Sequence, residues 1–239
     1  MKLRKVVVLL LALVMVFAMS TTASADSSKS WNAAKGTATI DGQKDDVYSA
    51  AQEMKMDAVS DGEADGTAAS AWAVWDAEAI YVFVEVADSA LDDTNANAWE
   101  KDSVEFRFQD MSQFTQAYAV DESFTGSPVP ASEVKVLKTD KGYNVEMKVP
   151  YATAEGSSVK FSLQVNAASD GKRNCTLHTS DDLKDAWQNN DVFENLVFSA
   201  DVATADTAAP QTGVASMGLI FGLGAAASAI GAKVCKRNK

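Results

Sequence analysis

The sequence predicts an all-β fold, an antiparallel β-sandwich, and three features of the 239 residues support this prediction. Several short segments alternate apolar and polar side chains with a period of two, as strands do when they bury one face. Turn residues separate these segments at short intervals, which is typical of sandwiches. One run, 80–86, is almost continuously apolar and predicts a central strand.

The clearest alternation lies in 102–109, 143–149 and 159–166. The positions expected to face the core are Val104, Phe106, Phe108, Tyr143, Val145, Met147, Val149, Val159, Phe161, Leu163 and Val165. Weaker patterns predict strands near 37–40, 54–59, 68–75, 116–120, 133–138 and 193–198. One face of each sheet is expected to build the core, and the other to remain polar and available for a site.

The N-terminus is typical of a secretory signal peptide, residues 1–25. Lys2, Arg4 and Lys5 precede an apolar run over 6–19, and Ala-Ser-Ala at 23–25 supplies a cleavage site. The alternative is an uncleaved membrane anchor. Residues 26–35 are small and polar and predict a linker, residues 36–200 form the predicted domain, and residues 201–208 form a spacer.

The C-terminus, residues 209–239, has three parts. Ala-Pro-Gln-Thr-Gly at 209–213 precedes an uncharged apolar stretch over 214–232, which predicts a transmembrane helix, and then a basic tail. With Pro210, Thr212 and Gly213, this arrangement resembles a cell-wall sorting signal, although Ala209 stands where leucine is usual. The resemblance implies sortase cleavage after Thr212, attachment to peptidoglycan and display on a Gram-positive-type cell. The alternative is a plain C-terminal membrane span.

Charge limits the class of partner. All 33 acidic residues lie in 26–213 beside 14 of the 21 basic ones, so this part has a formal charge of −19. Such a surface repels nucleic acid phosphates and anionic lipids, and no nucleic acid partner is expected. Neutral ligands and Ca²⁺ remain suitable.

Catalytic motifs are scarce in the sequence. Cys175 is the single cysteine of the exported part, and His178 is the single histidine of the chain, with no nucleophile-elbow sequence near it. Asp102 and Glu105 are close enough in sequence to suggest the paired carboxylates of glycosidases, but residues three apart on a strand point to opposite faces. No enzyme activity is expected.

Seven segments then resemble carbohydrate-binding module family 9. They are, in order, Ile-Asp-Gly at 40–42 with Asp-Asp-Val-Tyr at 45–48, Ala-Val-Trp-Asp at 73–76 with Ile-Tyr-Val at 80–82, Val-Ala-Asp at 86–88, Trp-Glu-Lys-Asp-Ser-Val-Glu-Phe at 99–106, Gln-Val-Asn at 164–166, Asp-Gly-Lys-Arg at 170–173, and Trp-Gln-Asn-Asn-Asp-Val-Phe at 187–193. The resemblance implies a DOMON-like or immunoglobulin-like sandwich that binds sugars of the xylan or cellulose type without catalysis. Glu194 and Thr179 depart from the family pattern at the rim of the expected site.

By this resemblance Trp99 and Trp187 hold a sugar ring between them, since an indole packs well on the apolar face of a pyranose. Trp72 and Trp75 are expected in the core instead. Polar contacts are assigned to the outward strand faces. The predicted residues are Glu105, Arg107, Gln164, Asn166 and Arg173.

The resemblance also implies bound Ca²⁺, and the candidate ligands are Asp41, Asp46, Asp76 and Asp88. Two other functions remain open on the residues alone. One is a haem or redox sandwich that uses His178 and a methionine as axial ligands. The other is a structural or adhesive wall protein that has kept the fold and lost the sugar site.

Overall fold

The computed structural model describes residues 29–63, 66–108, 115–126 and 132–200. The predicted signal peptide 1–25, the spacer 201–208, the sorting motif with Pro210, Thr212 and Gly213, and the apolar stretch 214–232 lie outside these residues. Within the described part of the chain, no helix has the length and apolar character needed to cross a membrane.

The described residues form thirteen strands joined by turns, so the all-β prediction is confirmed. The strands are β1 Ser30–Lys35, β2 Met54–Met56, β3 Ala58–Gly62, β4 Ala68–Trp75, β5 Ala79–Ala87, β6 Ser103–Phe108, β7 Thr115–Ala119, β8 Phe124–Gly126, β9 Glu133–Thr139, β10 Gly142–Pro150, β11 Ser158–Ser169, β12 Lys172–His178 and β13 Glu194–Ser199. Short 3₁₀ turns occur at Asp46–Ala50, Ala98–Glu100, Asp181–Asp185 and Asn190–Val192.

The strands hydrogen-bond into one continuous sheet that curls on itself. Its order is β8-β7-β6-β11-β13-β1-β4-β5-β10-β9, while β12 joins β11 to β3 and β2 pairs with β4. The apolar faces of β5 and β10 share one core with those of β6 and β11. The curl therefore encloses the core as the two layers of a sandwich would, and every core position predicted from the three alternating segments is buried.

Strand β11 positions the polar face on the other side of the core. Its residues Phe161–Asn166 pair antiparallel with β6, which sets Gln164 opposite Glu105. Its C-terminal part pairs with β12 through a tight hairpin, where Asp170 and Gly171 both have positive φ, of 55° and 74°. This is the backbone of a two-residue hairpin turn, for which Asp-Gly is a favoured sequence.

The predicted linker 26–35 is wrong from residue 30 onward, because Ser30–Lys35 is strand β1. It pairs parallel with both β13 and β4, so the sheet is not purely antiparallel. Trp31 is buried, and its Nε1 donates a hydrogen bond of 2.6 Å to Glu194. Strand β1 pairs with the main chains of two neighbouring strands and places Trp31 in the core between them. Its own sequence, small residues around a single tryptophan, did not indicate a strand.

The predicted strand at 37–40 is also wrong. Main-chain N–H groups there bond to side chains instead of a neighbouring strand: Thr39 donates to the carboxylate of Asp45, while Asp41 and Gly42 donate to that of the buried Glu146. Local capping by carboxylates thus replaces sheet pairing. Strands β8 and β12 were not predicted.

Candidate functional site

The outward face of β6, β11 and β12 forms the floor of a cavity of about 600 Å³. Its walls come from the 3₁₀ turn Ala98–Glu100 and from the turn that follows Asp181–Asp185. The described residues that line it are Ser60, Asp61, Trp99, Glu105, Arg107, Thr125, Gly126, Gln164, Arg173, Thr176, His178, Lys184 and Trp187. Six of the seven residues predicted to bind a ligand are therefore brought together here.

Glu105 is the centre of the floor. One carboxylate oxygen accepts hydrogen bonds from the amide groups of Gln164, at 3.1 Å, and Asn166, at 2.8 Å. The other oxygen accepts from the guanidinium of Arg107. All four side chains are at least nine-tenths buried, so burial of their charges and dipoles depends on these mutual bonds.

Asn166 does not line the cavity, which corrects its prediction as a contact residue. Its Nδ2 donates to Ser103 and to Glu105, and its Oδ1 accepts from Gln164 at 2.6 Å. Because Asn166 is fully buried beneath the floor, its role is to position the Glu105 and Gln164 side chains.

Arg107 supplies the positive charge of the floor. Its Nη1 donates to Gln164 at 3.3 Å and its Nη2 pairs with Glu105, while Nε is buried without a hydrogen-bond partner. Burial lowers the pKa of the guanidinium, and the neighbouring Glu105 opposes this shift. A buried donor without an acceptor is costly and rare in folded proteins.

Trp99 forms one wall because its turn is fixed on both sides. The N–H of Ala98 donates to the Thr125 hydroxyl at 3.0 Å, and the Glu100 carboxylate accepts from the Arg173 N–H at 3.0 Å. The indole is half-buried, and the Arg173 guanidinium lies 5.6 Å from its ring centroid. A cation over an indole face is a favourable contact that holds both groups in place.

Trp187 forms a second wall and is 66% exposed, the most exposed large apolar side chain among the described residues. The turn that carries it is held by hydrogen bonds from Ala186 to Leu183 and from Gln188 to Asp185. Leu183 and Ala186 are buried with Phe193, so the same turn must point Trp187 outward. An exposed indole at a cavity is a typical site for contact with an amphipathic ligand.

His178 lies in the floor but was predicted only as a candidate haem ligand. Burial, together with the charges of Arg107 and Arg173, lowers the pKa of its imidazole to about 4. Its Nδ1 lies 3.1 Å from the Leu163 carbonyl, which can only accept, so Nδ1 carries the proton and Nε2 is an acceptor. No methionine lines the cavity in the described residues, which does not favour histidine–methionine ligation.

The rim adds residues that the sequence did not single out, namely Asp61 and Lys184. Asp61 lies on β3, and its carboxylate is 3.5 Å from the Arg173 guanidinium. Lys184 lies in the turn before Trp187 and is exposed. Thr176 and His178 alternate with the buried Cys175 and Leu177 on β12, and this alternation was a readable signal for the missed strand.

The four predicted calcium ligands do not come together. Asp41 and Asp46 are exposed, and the Asp76 carboxylate accepts hydrogen bonds from Thr37, Tyr81 and two main-chain N–H groups. The buried Asp88 accepts from Thr67 and from a main-chain N–H. Across the described ranges, no group of three or more His, Cys, Asp or Glu side chains is arranged to hold a metal. These four residues do not fit one shared calcium site.

Asp102 lies outside the cavity, as expected from its spacing to Glu105. It is completely buried and accepts hydrogen bonds from the main-chain N–H groups of Asp92 and Ala168. These bonds fix the loop before β6 and the end of β11. Trp75 is buried as predicted, whereas Trp72 is only half-buried against Phe83.

Two solved structures share this fold. They are a carbohydrate-binding module family 9 from Caldicellulosiruptor kristjanssonii in complex with glucose, with a TM-score of 0.66 and 24% identity, and one in complex with cellotriose, with a TM-score of 0.65 and 23% identity. Each is covered completely and matches 76% and 77% of this chain, respectively. At this identity they show the architecture.

Relatives in sequence include endo-1,4-beta-xylanase A of Thermotoga neapolitana, 32% identical over 67% of this chain, and exoglucanase XynX of Acetivibrio thermocellus, 31% identical over 69%. The chain spans only 17% and 16% of their lengths. The model of the family described as carbohydrate family 9 binding domain-like matches residues 40–200, most of the predicted domain and the whole cavity floor. The chain therefore belongs to carbohydrate-binding family 9.

Proposed function

We propose that this protein binds carbohydrate without catalysis, holding one or two sugar units in the cavity between Trp99 and Trp187. One observation carries the proposal: two tryptophans, one of them 66% exposed, line the same cavity over a floor of amide, carboxylate and guanidinium groups. A pyranose offers apolar C–H faces to indoles and hydroxyls to such polar groups, so both kinds of surface are used.

The sugar class follows from the relatives. The two solved structures of this fold are complexes with glucose and with cellotriose, and the relatives in sequence are xylanases and an exoglucanase. We therefore propose a xylan- or cellulose-type chain end as the ligand. The floor residues Glu105, Arg107 and Gln164 would bond the hydroxyls, and Arg173 would act at the rim.

Binding without catalysis is proposed because the Glu105 carboxylate is held within the hydrogen-bond network of the floor. Both of its oxygens are already bonded to Gln164, Asn166 and Arg107. The other carboxylate lining the cavity, Asp61, is largely exposed at the rim. The test is the absence of new reducing ends after long incubation of the purified chain with xylan and cellulose.

The direct test is calorimetric titration of the protein with xylobiose, cellobiose and glucose, with Trp187→Ala beside it. Phe124→Ala is the matched control, because Phe124 is also exposed but does not line the cavity. We expect the native chain and Phe124→Ala to bind with similar affinity, and Trp187→Ala to bind much more weakly. Heat from none of these sugars, and none from a broader glycan panel, would favour the structural or adhesive wall protein.

Placement at the cell surface is proposed from the chain ends. The signal peptide 1–25 would export the chain, and a sortase acting between Thr212 and Gly213 would join it to peptidoglycan. Mass spectrometry of wall fragments should then find Thr212 linked to a peptidoglycan peptide, and Thr212→Ala should abolish the link. Recovery of the intact chain in the membrane fraction would instead show a plain anchor through 214–232.

We also propose that the protein binds Ca²⁺. Its ligands would be a carboxylate such as that of Asp88 together with main-chain oxygens. Metal analysis of the dialysed protein should then find retained Ca²⁺, and chelation should lower its melting temperature. Protein without calcium, whose melting temperature is unchanged by added Ca²⁺, would contradict this.

A further inference from the structure

The cavity is lined by more positive than negative charge, although the chain is strongly acidic. Three cationic side chains line it, Arg107, Arg173 and Lys184, against two carboxylates, Glu105 and Asp61. The described lining thus carries one net positive charge, while the whole chain carries −12. A positively charged site on a negatively charged protein indicates a negatively charged ligand.

The two carboxylates of the lining are already engaged. Glu105 accepts hydrogen bonds from Gln164 and Arg107 in the floor and from Asn166 beneath it. Asp61 lies 3.5 Å from Arg173, but its side chain is 69% exposed. An ion pair so open to water is weak and yields readily to a better partner.

The donors, in contrast, have capacity left. The Arg173 guanidinium has five N–H donors and one stretched ion pair, and its side chain is 25% exposed toward solvent. Lys184 brings three more donors to the rim beside Trp187. The site therefore offers more donors than acceptors, and a ligand with charged acceptors satisfies it better than hydroxyls do.

Resting on the proposed sugar binding, we propose that this cavity prefers a sugar that carries a carboxylate, that is, a uronic acid. The ring would lie between the tryptophans, with its carboxylate at Arg173 and Lys184. Arg173 packs on Trp99, and Lys184 precedes Trp187 by three residues, so a cation stands beside each wall. A guanidinium binds a carboxylate through two parallel hydrogen bonds, which gives orientation as well as affinity.

The test compares glucuronic acid with glucose by calorimetry on the purified full chain, kept in mild detergent because of the apolar segment 214–232. The two sugars differ only at C6. Charge-assisted hydrogen bonds predict that glucuronic acid binds about tenfold more tightly at low salt. The advantage should shrink at high salt while glucose affinity stays constant, because only the charged interaction is screened.

Variants locate the effect. Lys184→Gln should reduce the preference for glucuronic acid over glucose severalfold. Lys55→Gln is the matched control, since it makes the same change in net charge at a lysine outside this cavity. Arg173→Gln should abolish the preference, whereas Arg173→Lys, which keeps the charge, should retain part of it.

Glucose binding with no advantage for glucuronic acid would overturn this inference and leave the proposed function intact. A preference that persists in both Arg173→Gln and Lys184→Gln would also overturn it. If glucose, glucuronic acid, xylobiose and cellobiose all give no binding heat, both the proposed function and this inference are refuted. An acidic xylo-oligosaccharide with a glucuronic acid branch shows where in a polysaccharide the recognised uronic acid lies. If it binds more tightly than free glucuronic acid, the protein recognises a branch of the chain. If it binds more weakly, the protein recognises a terminal uronic acid.

Discussion

Replacing Trp187 with alanine should weaken ligand binding strongly while leaving the fold intact. The indole is 66% exposed in the protein, so its truncation opens no cavity in the core. The turn that carries it is held by main-chain hydrogen bonds and by the buried Leu183 and Ala186, none of which involves the indole. The free energy of unfolding should therefore change by less than about 0.5 kcal/mol, as for other exposed side chains.

The expected loss of affinity follows from the area that a sugar can cover. A tryptophan has about 250 Å² of surface, so about 165 Å² of Trp187 is open to a ligand. A sugar ring covering half of this buries about 80 Å², worth about 2 kcal/mol at about 25 cal/mol per Å². The dissociation constant should rise about 30-fold.

The assay pairs calorimetric titration with thermal unfolding of the same samples. Unchanged affinity in a folded Trp187→Ala variant would refute the assignment of this side chain to the site. A loss of affinity accompanied by a clear fall in melting temperature would refute the claim that the indole is not structural. The first result would move the ligand contact to the other lining residues.

Buried polar groups give three further predictions. Asn166→Ala removes two donors from the floor network, including one to Glu105, and should lower both sugar affinity and the free energy of unfolding, the latter by about 1–3 kcal/mol, measured by titration and urea denaturation. Burial lowers the pKa of His178 from 6.5 to about 4, so the native state favours the neutral imidazole. The contribution of this neutral imidazole to the free energy of unfolding is complete above pH 6.5 and is lost as the pH falls through 4. The free energy of unfolding of the native chain should then fall by up to about 3 kcal/mol more than that of His178→Gln over this range, and parallel pH profiles would contradict it. Trp31→Phe removes one of three side-chain donors to buried Glu194 and should lower the free energy of unfolding by about 1–3 kcal/mol without affecting sugar binding. No change in urea denaturation would mean that Thr179 and Ser180 suffice to satisfy Glu194.

The core face of the sheet could be predicted because alternation fixes it locally. In β6, β10 and β11 every second side chain is apolar, and burying that face leaves one possible orientation of the strand. Strand β1 could not be predicted in this way. It is stabilised by β13, more than 160 residues away, and nothing in its own small polar residues indicates that partner.

The sequence also indicated the polar side chains of the candidate site, because they occupy the face opposite the core. It did not reveal that Glu105, Arg107, Gln164 and Asn166 are buried together, since their bonds cross from β6 to β11 and depend on the register of that pair. The hidden position of Asn166 and the contribution of His178 follow from the same register and from the hairpin that adds β12.

The net charge, the strand periodicity and the family were readable from the sequence, because each depends on residues close together or on composition. The joining of Trp99, Trp187, Arg173 and Lys184 around one cavity was decided only by the tertiary structure. Trp99 lies in a turn more than 70 positions before the other three, of which Arg173 lies on β12 and Lys184 and Trp187 lie in the turns after it. Turns carry no periodic pattern that fixes their distance from one another. The curl of the sheet and the buried anchors beneath each turn bring them to the same face.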